Sequence, residues 1–323
     1  MAGKNDNIND IKITDLKTAI LIPCHNEEIT IGKVIDGLHR ELPSAVIYVF
    51  DNCSTDSTVS VAREHGAIVI KESRLGKGFV VENMFSRIDA DIYVMIDGDD
   101  TYPTDYVGKL LEPLLAGNAD MVVGARLANY RDDSFRPLHV LGNNLICWLV
   151  NWMGNAHLTD IMSGYRVFNR RVVECIPLVS SGFEVETEMT VQMLYYRMTI
   201  VEINIPYQKR PAGSISKLHT FRDGIRVLWK LFSLFRAFKP LTFFGSVGVL
   251  FLVLGMMAGI PPVRDYLTEP NHVVRHIPLA ILATGLIILS GICVLLGILL
   301  HAINWKFREL HNVLTRKPTR QVQ

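Results

Sequence analysis

An α/β domain built on a mostly parallel sheet, followed by an amphipathic helix and two membrane-spanning helices, is the architecture the sequence predicts. Three observations predict it. Short β-rich runs alternate with helical patterns through the first hundred residues, Asp, Glu, Lys and Arg are absent from Pro240 to Ile260 and from Ile277 to Asn304, and between these regions aromatic residues recur at helical spacing.

Element by element, Thr18 to Cys24 (TAILIPC) reads as a buried strand, Ile29 to Arg40 as a helix, Ala45 to Asp51 (AVIYVFD) as a second strand and Ser57 to His65 as a second helix. Ala67 to Ile70 is a short third strand, Phe79 to Ile88 a helix, Asp91 to Asp97 (DIYVMID) a fourth strand and Met121 to Ala125 a fifth. The expected organisation is a polar tail over residues 1–17, the α/β domain over 18–213, an amphipathic helix over 214–239, a two-helix membrane hairpin over 240–305 and a basic tail over 306–323.

Each uncharged run is long enough to cross about 30 Å of hydrocarbon as a helix. A buried core helix is the alternative reading, and these lengths favour a span. Both runs lie near the C-terminus and Met1 to Lys17 has no apolar core, so neither is read as a signal peptide and the N-terminal domain is expected to stay where it is made. Lys217, Arg222, Arg226, Lys230, Arg236 and Lys239 precede the first run, and Lys306, Arg308, Arg316, Lys317 and Arg320 follow the second. Because Lys and Arg collect on the cytoplasmic side, both termini are expected there and the hairpin between the spans outside.

From Ser214 to Lys239, Leu218, Phe221, Ile225, Leu228, Trp229, Phe232, Phe235 and Phe238 form an apolar side, while Arg222, Arg226 and Lys230 recur every four residues on another. Such a helix can lie in the headgroup plane of a bilayer. Packing against the preceding domain is the alternative. Gly245, Gly248, Gly285, Gly291 and Gly297 permit close helix packing and are compatible with a homo-oligomer.

Composition excludes other classes. A net charge of +1 gives no reason to propose nucleic acid as a partner, and five widely spaced cysteines without a CxxC pair indicate neither a disulfide framework nor a zinc knuckle.

In open α/β sheets, ligands gather at the carboxyl ends of the strands. Here the first strand runs into His25, Asn26, Glu27 and Glu28, the second into Asp51, Asn52, Ser54, Thr55 and Asp56, and the fourth into Asp97, Gly98, Asp99 and Asp100. Carboxylates spaced as in Asp97-Gly98-Asp99 repel one another unless a cation sits among them, and Mg²⁺ or Mn²⁺ held with diphosphate oxygens is the usual solution. A turn with solvated aspartates is the plainer reading.

The company this cluster keeps decides between them. PCHNEE at Pro23 to Glu28, DNCSTDST at Asp51 to Thr58, GKG at Gly76 to Gly78 and DGDDTYP at Asp97 to Pro103 resemble the ordered motifs of family 2 glycosyltransferases with the GT-A fold. GAR at Gly124 to Arg126, DIMSGYRVF at Asp160 to Phe168, GFEVETEM at Gly182 to Met189 and RPAGSISKL at Arg210 to Leu218 resemble the branch that acts on polyprenyl phosphates, that of dolichol-phosphate mannose synthases and bacterial undecaprenyl-phosphate sugar transferases. The resemblance covers residues 18 to 240.

That resemblance implies that Pro23, His25, Glu27 and Asp51 line a base and ribose pocket closed by Asp97, and that Lys77 approaches the nucleotide. Asp99 would bind Mg²⁺ or Mn²⁺ with Asp97 beside it. Thr101 stands where mannose synthases carry a metal-binding glutamine, which leaves water or Asp100 to complete the ligand set. Arg126, Arg210 and Lys217 occupy the motifs that hold the acceptor phosphate, a task suited to cationic side chains, and Arg136, His139 and Asn143 lie where the family places a further arginine and a hydroxyl. For any single Arg a surface salt bridge is the alternative. Asp160, grouped with Asp97 and Asp99 as a catalytic position, either orients the acceptor with Ser163 or holds the turn before Tyr165. Glu186 and Glu188 are open between substrate contact and the ordinary preference for carboxylates at a helix start.

The activity this implies is inverting transfer of one sugar, from a UDP-linked hexose or N-acetylhexosamine, to undecaprenyl or dolichyl phosphate at the cytoplasmic face of a membrane, by analogy the bacterial inner membrane. A phosphate acceptor is already anionic near neutral pH, so no strong general base is required. Alternatives are a GDP-mannose-dependent synthase, a processive polysaccharide synthase, for which a QxxRW motif and further spans are missing, and a non-catalytic membrane adaptor, which would have no need to keep repelling carboxylates together.

Overall fold

The computed structural model describes residues 16–126, 137–211, 220–269 and 273–314. Two compact units divide the chain, Met1–Leu231 and Phe232–Gln323.

In the first unit β1 (Thr18–Cys24), α1 (Ile31–Glu41), β2 (Val46–Asp51), α2 (Thr58–Glu64), β3 (Ile68–Lys71), α3 (Lys77–Arg87) and β4 (Ile92–Met95) repeat a strand-helix pattern. There follow α4 (Val107–Leu115), β5 (Met121–Ala125), α5 (Pro137–Gly154), β6 (Arg166–Asn169), α6 (Arg170–Cys175), α7 (Val185–Tyr195) and β7 (Ile200–Asn204). The seven strands form one sheet in the order β3-β2-β1-β4-β6-β5-β7. Its pairs are parallel except where β6 runs antiparallel to β4 and β5.

Helices cover both faces, which is why β1 is apolar at nearly every position rather than at alternate ones. Ile20 and Ile22 face the layer of α1 (Ile31, Val34, Ile35, Leu38) and α4 (Val107, Leu110, Leu111, Leu114). Ala19 and Leu21 face that of α3 (Val80, Val81, Met84) and α7 (Val185, Met189, Met193). The strands expected at Thr18–Cys24 and Met121–Ala125 have those bounds, and the others begin or end within a few residues of expectation. The fourth stops at Met95, two residues before Asp97, so the DGD segment is free of the strand ladder and able to turn.

The sheet is larger than the sequence reading, because β6 and β7 extend it beyond β4. Arg166 disguises β6. This fully buried cation is bonded to the Ser163 carbonyl at 2.9 Å, the Ile161 carbonyl at 2.5 Å and Thr190 Oγ1 at 3.0 Å. Burial drives its pKa down, and those acceptors offset the cost of removing the charge from water.

Beyond the sheet, α8 (Thr220–Phe238) leads to Lys239, where α9 (Pro240–Thr268) begins, and α10 (Ile277–Leu314) returns beside it. Close approach of α9 and α10 depends on small residues: a Cβ on Gly248 would sit 3.2 Å from the Ser290 carbonyl, and one on Gly255 3.2 Å from that of Ala283. Only 11% of each apolar stretch is buried, so these are not the core helices of a soluble domain, and their length and composition suit a bilayer. Among the described residues nothing lies within 4 Å of a Cβ position at Gly245, Gly285 or Gly291.

Candidate active site

Four loops at the carboxyl edge of the sheet are knitted into one surface. The loop after β1 meets the loop after β2 through Asn26 N to Ser54 Oγ (2.9 Å), Thr55 N to Asn26 Oδ1 (2.8 Å) and Glu27 N to Thr58 Oγ1 (2.8 Å). Asn52 links these to the glycine loop. Its amide donates to the Cys24 carbonyl at 2.8 Å, its side-chain nitrogen to the Arg74 carbonyl at 2.8 Å, and its side-chain oxygen accepts from Gly76 N at 2.8 Å. Asn26, Cys53 and Asp100, one in each of the loops after β1, β2 and β4, have positive φ of 52°, 61° and 56°. Left-handed backbone at a cysteine is uncommon, and such strain gathers where a loop must present its groups in a set direction.

Within this frame Pro23 is part of β1, His25 Nδ1 lies 2.6 Å from the Asn52 carbonyl, and Glu27 and Asp51 are buried. Asp51 Oδ1 accepts from Ser54 N at 3.1 Å, which holds the turn of the second motif.

Both glycines of GKG are required by contact. A Cβ on Gly76, whose φ is +141°, would lie 2.1 Å from the Ser181 carbonyl oxygen, and one on Gly78 1.9 Å from that of Ser180. This closeness aims Lys77. Its ammonium sits 2.6 Å from Asp97 Oδ1 and 2.6 Å from Glu186 Oε1. Burial works against the charge, but the two carboxylates outweigh it and hold the pKa above the usual lysine range. Glu186 was open between substrate contact and helix structure in the sequence. It is a buried partner of Lys77, and its second oxygen has no hydrogen-bond partner among the described residues.

Asp99 is also buried. Its Oδ1 accepts from the Thr101 hydroxyl at 2.5 Å and the Thr101 amide at 3.2 Å, and its Oδ2 pairs with Arg210 Nη2. Arg210 Nη1 also reaches Glu27 Oε1 at 3.9 Å. The Gln208 amide donates to the Thr101 carbonyl at 3.0 Å, pinning the chain beyond β7 to the DGD loop just before Arg210. Asp100 turns to Lys33 instead.

Asp160 is nearly inaccessible. Arg126 donates to it through Nε at 2.7 Å, Nη2 at 2.9 Å and its own amide at 3.0 Å. Glu202, which sequence reasoning missed, caps the same turn by accepting from the Thr159 and Asp160 amides, at 2.7 and 2.9 Å for the nearer oxygens. The turn meets the DGD loop at Gly164, where a Cβ would lie 2.4 Å from Asp97 Oδ2 and whose amide donates to Tyr102 Oη at 2.9 Å. Thus one loop carries the Lys77–Asp97 and Arg210–Asp99 pairs, and Arg126, at the end of β5, pairs with Asp160 at the start of the turn that meets Asp97 at Gly164. Arg136 and Lys217, and the side chains of His139 and Asn143, lie outside the described residues.

On α8, Lys230 Nζ lies 2.9 Å from Glu188 Oε1 while Val227 and Leu231 are buried, so one side of the helix packs on the domain. Ile225, Leu228 and Trp229 are exposed, Trp229 to 71%.

Asp97 and Asp99 supply the hard oxygen ligands that Mg²⁺ and Mn²⁺ prefer. Among the described residues no three His, Cys, Asp or Glu converge; Asp97 and Asp99 are two carboxylates of one loop, a donor set of the kind Mg²⁺ uses together with substrate oxygens.

The family description Glycosyl transferase family 2 matches residues 19–176. Glycosyltransferase AglJ of Haloferax volcanii is 36% identical over 230 residues, which are 71% of this chain and 75% of that protein. The chain belongs to glycosyl transferase family 2. A further relative, the dolichyl-phosphate hexose transferase of the same organism, is 31% identical over 210 residues, 65% of this chain and 90% of that one. The glucosyl-3-phosphoglycerate synthase of Mycobacterium tuberculosis, solved in complex with Mn²⁺ and UDP-glucose, superposes with a TM-score of 0.56 at 22% identity, over 71% of this chain and 84% of that chain. That likeness shows the fold, the GT-A type its motifs implied. The resemblance to the polyprenyl-phosphate branch holds among the family 2 relatives, and the chain is a glycosyltransferase with two apolar helices able to cross a membrane.

Proposed function

We propose that this family 2 enzyme moves a single sugar from a UDP-linked hexose or N-acetylhexosamine to the phosphate of a polyprenyl lipid at the cytoplasmic membrane face, with inversion at the anomeric carbon. The observation that carries the proposal is the convergence of basic residues from the acceptor-type motifs on the acidic turn: Arg210 on Asp99, and Arg126 on the turn that packs on Asp97.

In this reading His25, Glu27 and Asp51 form the floor for the nucleoside. Asp97 and Asp99 would hold Mg²⁺ or Mn²⁺, which when bound neutralises charge on the departing diphosphate. Lys77, charged at every working pH, moves from Asp97 toward that diphosphate while Glu186 keeps its other side neutralised. Arg126 is fixed by Asp160 and presents its remaining nitrogen to the acceptor, and Arg210 supplies a second cation. Asp160 positions and takes no proton: it is buried, bonded on both oxygens, and held below the usual carboxylate range by Arg126 against the effect of burial. The attacking lipid phosphate is already anionic, so orientation is the main task of these side chains. The exposed Ile225, Leu228 and Trp229 on α8 suit the headgroup plane, and the basic flanks of α9 and α10 suit a cytoplasmic placement of both ends.

The test is incubation of membranes containing the full chain with a panel of radiolabelled nucleotide sugars and polyprenyl phosphate. Label that enters the organic phase only when both substrates are present supports the reading. Label in water-soluble or polymeric product alone rejects it.

A further inference from the structure

We propose that Arg210 is a built-in competitor for the divalent cation: it occupies Asp99 until the metal and donor arrive, and is released by them to meet the acceptor phosphate. This rests on the metal-dependent reading above and adds an order of events to it.

The argument starts from what Asp99 has left to offer. Its carboxylate is buried, Oδ1 is taken by the hydroxyl and amide of Thr101, and Oδ2 is taken by the Arg210 guanidinium. A cation can bind there only by displacing Arg210, because a guanidinium and a divalent ion at one carboxylate oxygen would repel each other. Arg210 is about a quarter exposed, with its side chain 27% accessible, so it can swing out without the sheet opening. The backbone bond from Gln208 N to the Thr101 carbonyl holds the chain two residues before Arg210 against the loop that carries Asp99.

Asp97 is arranged differently. Its partner Lys77 is shared with Glu186, so the ammonium keeps a buried counter-charge when Asp97 turns to a cation. Glu186 holds Lys77 at 2.6 Å whereas Glu27 reaches Arg210 only at 3.9 Å, so the stronger opposition to metal binding lies at Asp99. Once displaced from Asp99, Arg210 can turn its fork of donors, whose Nη1 also reaches Glu27, toward a phosphate, so the acceptor site gains a cation only after the donor site is loaded. This arrangement disfavours acceptor binding to an empty donor site.

The experiment measures Mn²⁺ binding to the purified full chain in detergent from the free-ion electron paramagnetic resonance signal, without acceptor, with and without UDP. Arg210→Ala and Arg210→Gln are expected to bind Mn²⁺ about ten-fold or more tightly than the unaltered chain, the scale of one charge-assisted contact. Arg210→Lys should fall between, and Asp99→Asn should lose binding in either background. Equal or weaker Mn²⁺ binding in both neutral variants, with Asp99→Asn still abolishing it, overturns the competitor role and leaves the metal site standing. Absence of Mn²⁺ binding by every variant even with UDP overturns both.

Discussion

Arg126 and Asp160 form a two-pronged ion pair, Nε to Oδ2 at 2.7 Å and Nη2 to Oδ1 at 2.9 Å, on the turn that packs against Asp97. Removing the acid leaves a mostly buried guanidinium unpaired, which costs about 3–5 kcal/mol in comparable buried pairs. Asp160→Ala should therefore lower the thermal midpoint of the full chain in detergent by several degrees. Asp160→Asn should keep more of the stability while raising the KM for polyprenyl phosphate more than that for the nucleotide sugar. An unchanged midpoint and unchanged KM values would remove the positioning role.

The acid limb of stability should be set in large part by Glu72. Its bonds to Arg74, reinforced by Asn83, overcome the effect of burial and hold its pKa at about 2 against an ordinary 4.5. A depressed folded-state pKa contributes stability that is complete above the unfolded value and fades as pH falls toward the folded one. Asp160 acts in the same direction. Unfolding free energy should thus be flat from pH 7 to about 5 and decline below about 4.5. Glu72→Gln should lower the plateau and make the decline shallower, which urea titrations across that range would measure.

Lys77→Met should lower kcat/KM for the donor about a hundredfold, the scale on which loss of one preorganised charge at a departing group is felt. The thermal midpoint should fall too, since Glu186 would be left buried without its cation. Pairing the substitution with Glu186→Gln should restore the midpoint and leave the kinetic loss in place. Recovery of both together would make the lysine a purely structural element.

Gly78→Ala should disrupt the donor site without touching a single polar side chain. The added methyl would lie 1.9 Å from the Ser180 carbonyl oxygen, a backbone atom that cannot step aside. The expected cost is about 1–3 kcal/mol, together with a raised KM for the nucleotide sugar. Alanine at Gly108, where nothing among the described residues lies within 4 Å, is the control and should leave both unchanged.

What could be read from the chain in advance follows from where the physics is local. β1 and β5 are short continuous apolar runs, buried along nearly all their length in a sheet covered on both faces, and their bounds were visible in TAILIPC and MVVGA. The acidic turns after β1, β2 and β4 were equally legible, because an α/β sheet presents its loops on one edge. Arg166 hid β6, since a charged residue argues against a buried strand until its acceptors, Ser163, Ile161 and Thr190, are placed around it. The edge strand β7 (IVEIN) carries Glu202 and Asn204 among its five residues and is only partly buried, so it lacks the continuous apolar run that marks β5. The pairings of the site were hidden for a different reason: Lys77 to Glu186 and Asp99 to Arg210 each span more than a hundred residues of sequence, and no spacing rule reaches that far. For Glu186 a usable hint existed, as it lies on the first turn of a helix in which nearly every residue is buried.

The most direct test of the whole account is transfer of radiolabel by the purified full chain from UDP-hexose and UDP-N-acetylhexosamine to undecaprenyl phosphate, run beside undecaprenol and beside Asp99→Ala. The account predicts organic-phase label with the phosphate lipid and Mg²⁺ or Mn²⁺, none with the free alcohol, and loss of that label with the Asp99 variant or a chelator while membrane insertion is intact. Full transfer by Asp99→Ala, or equal transfer to the alcohol, would contradict it.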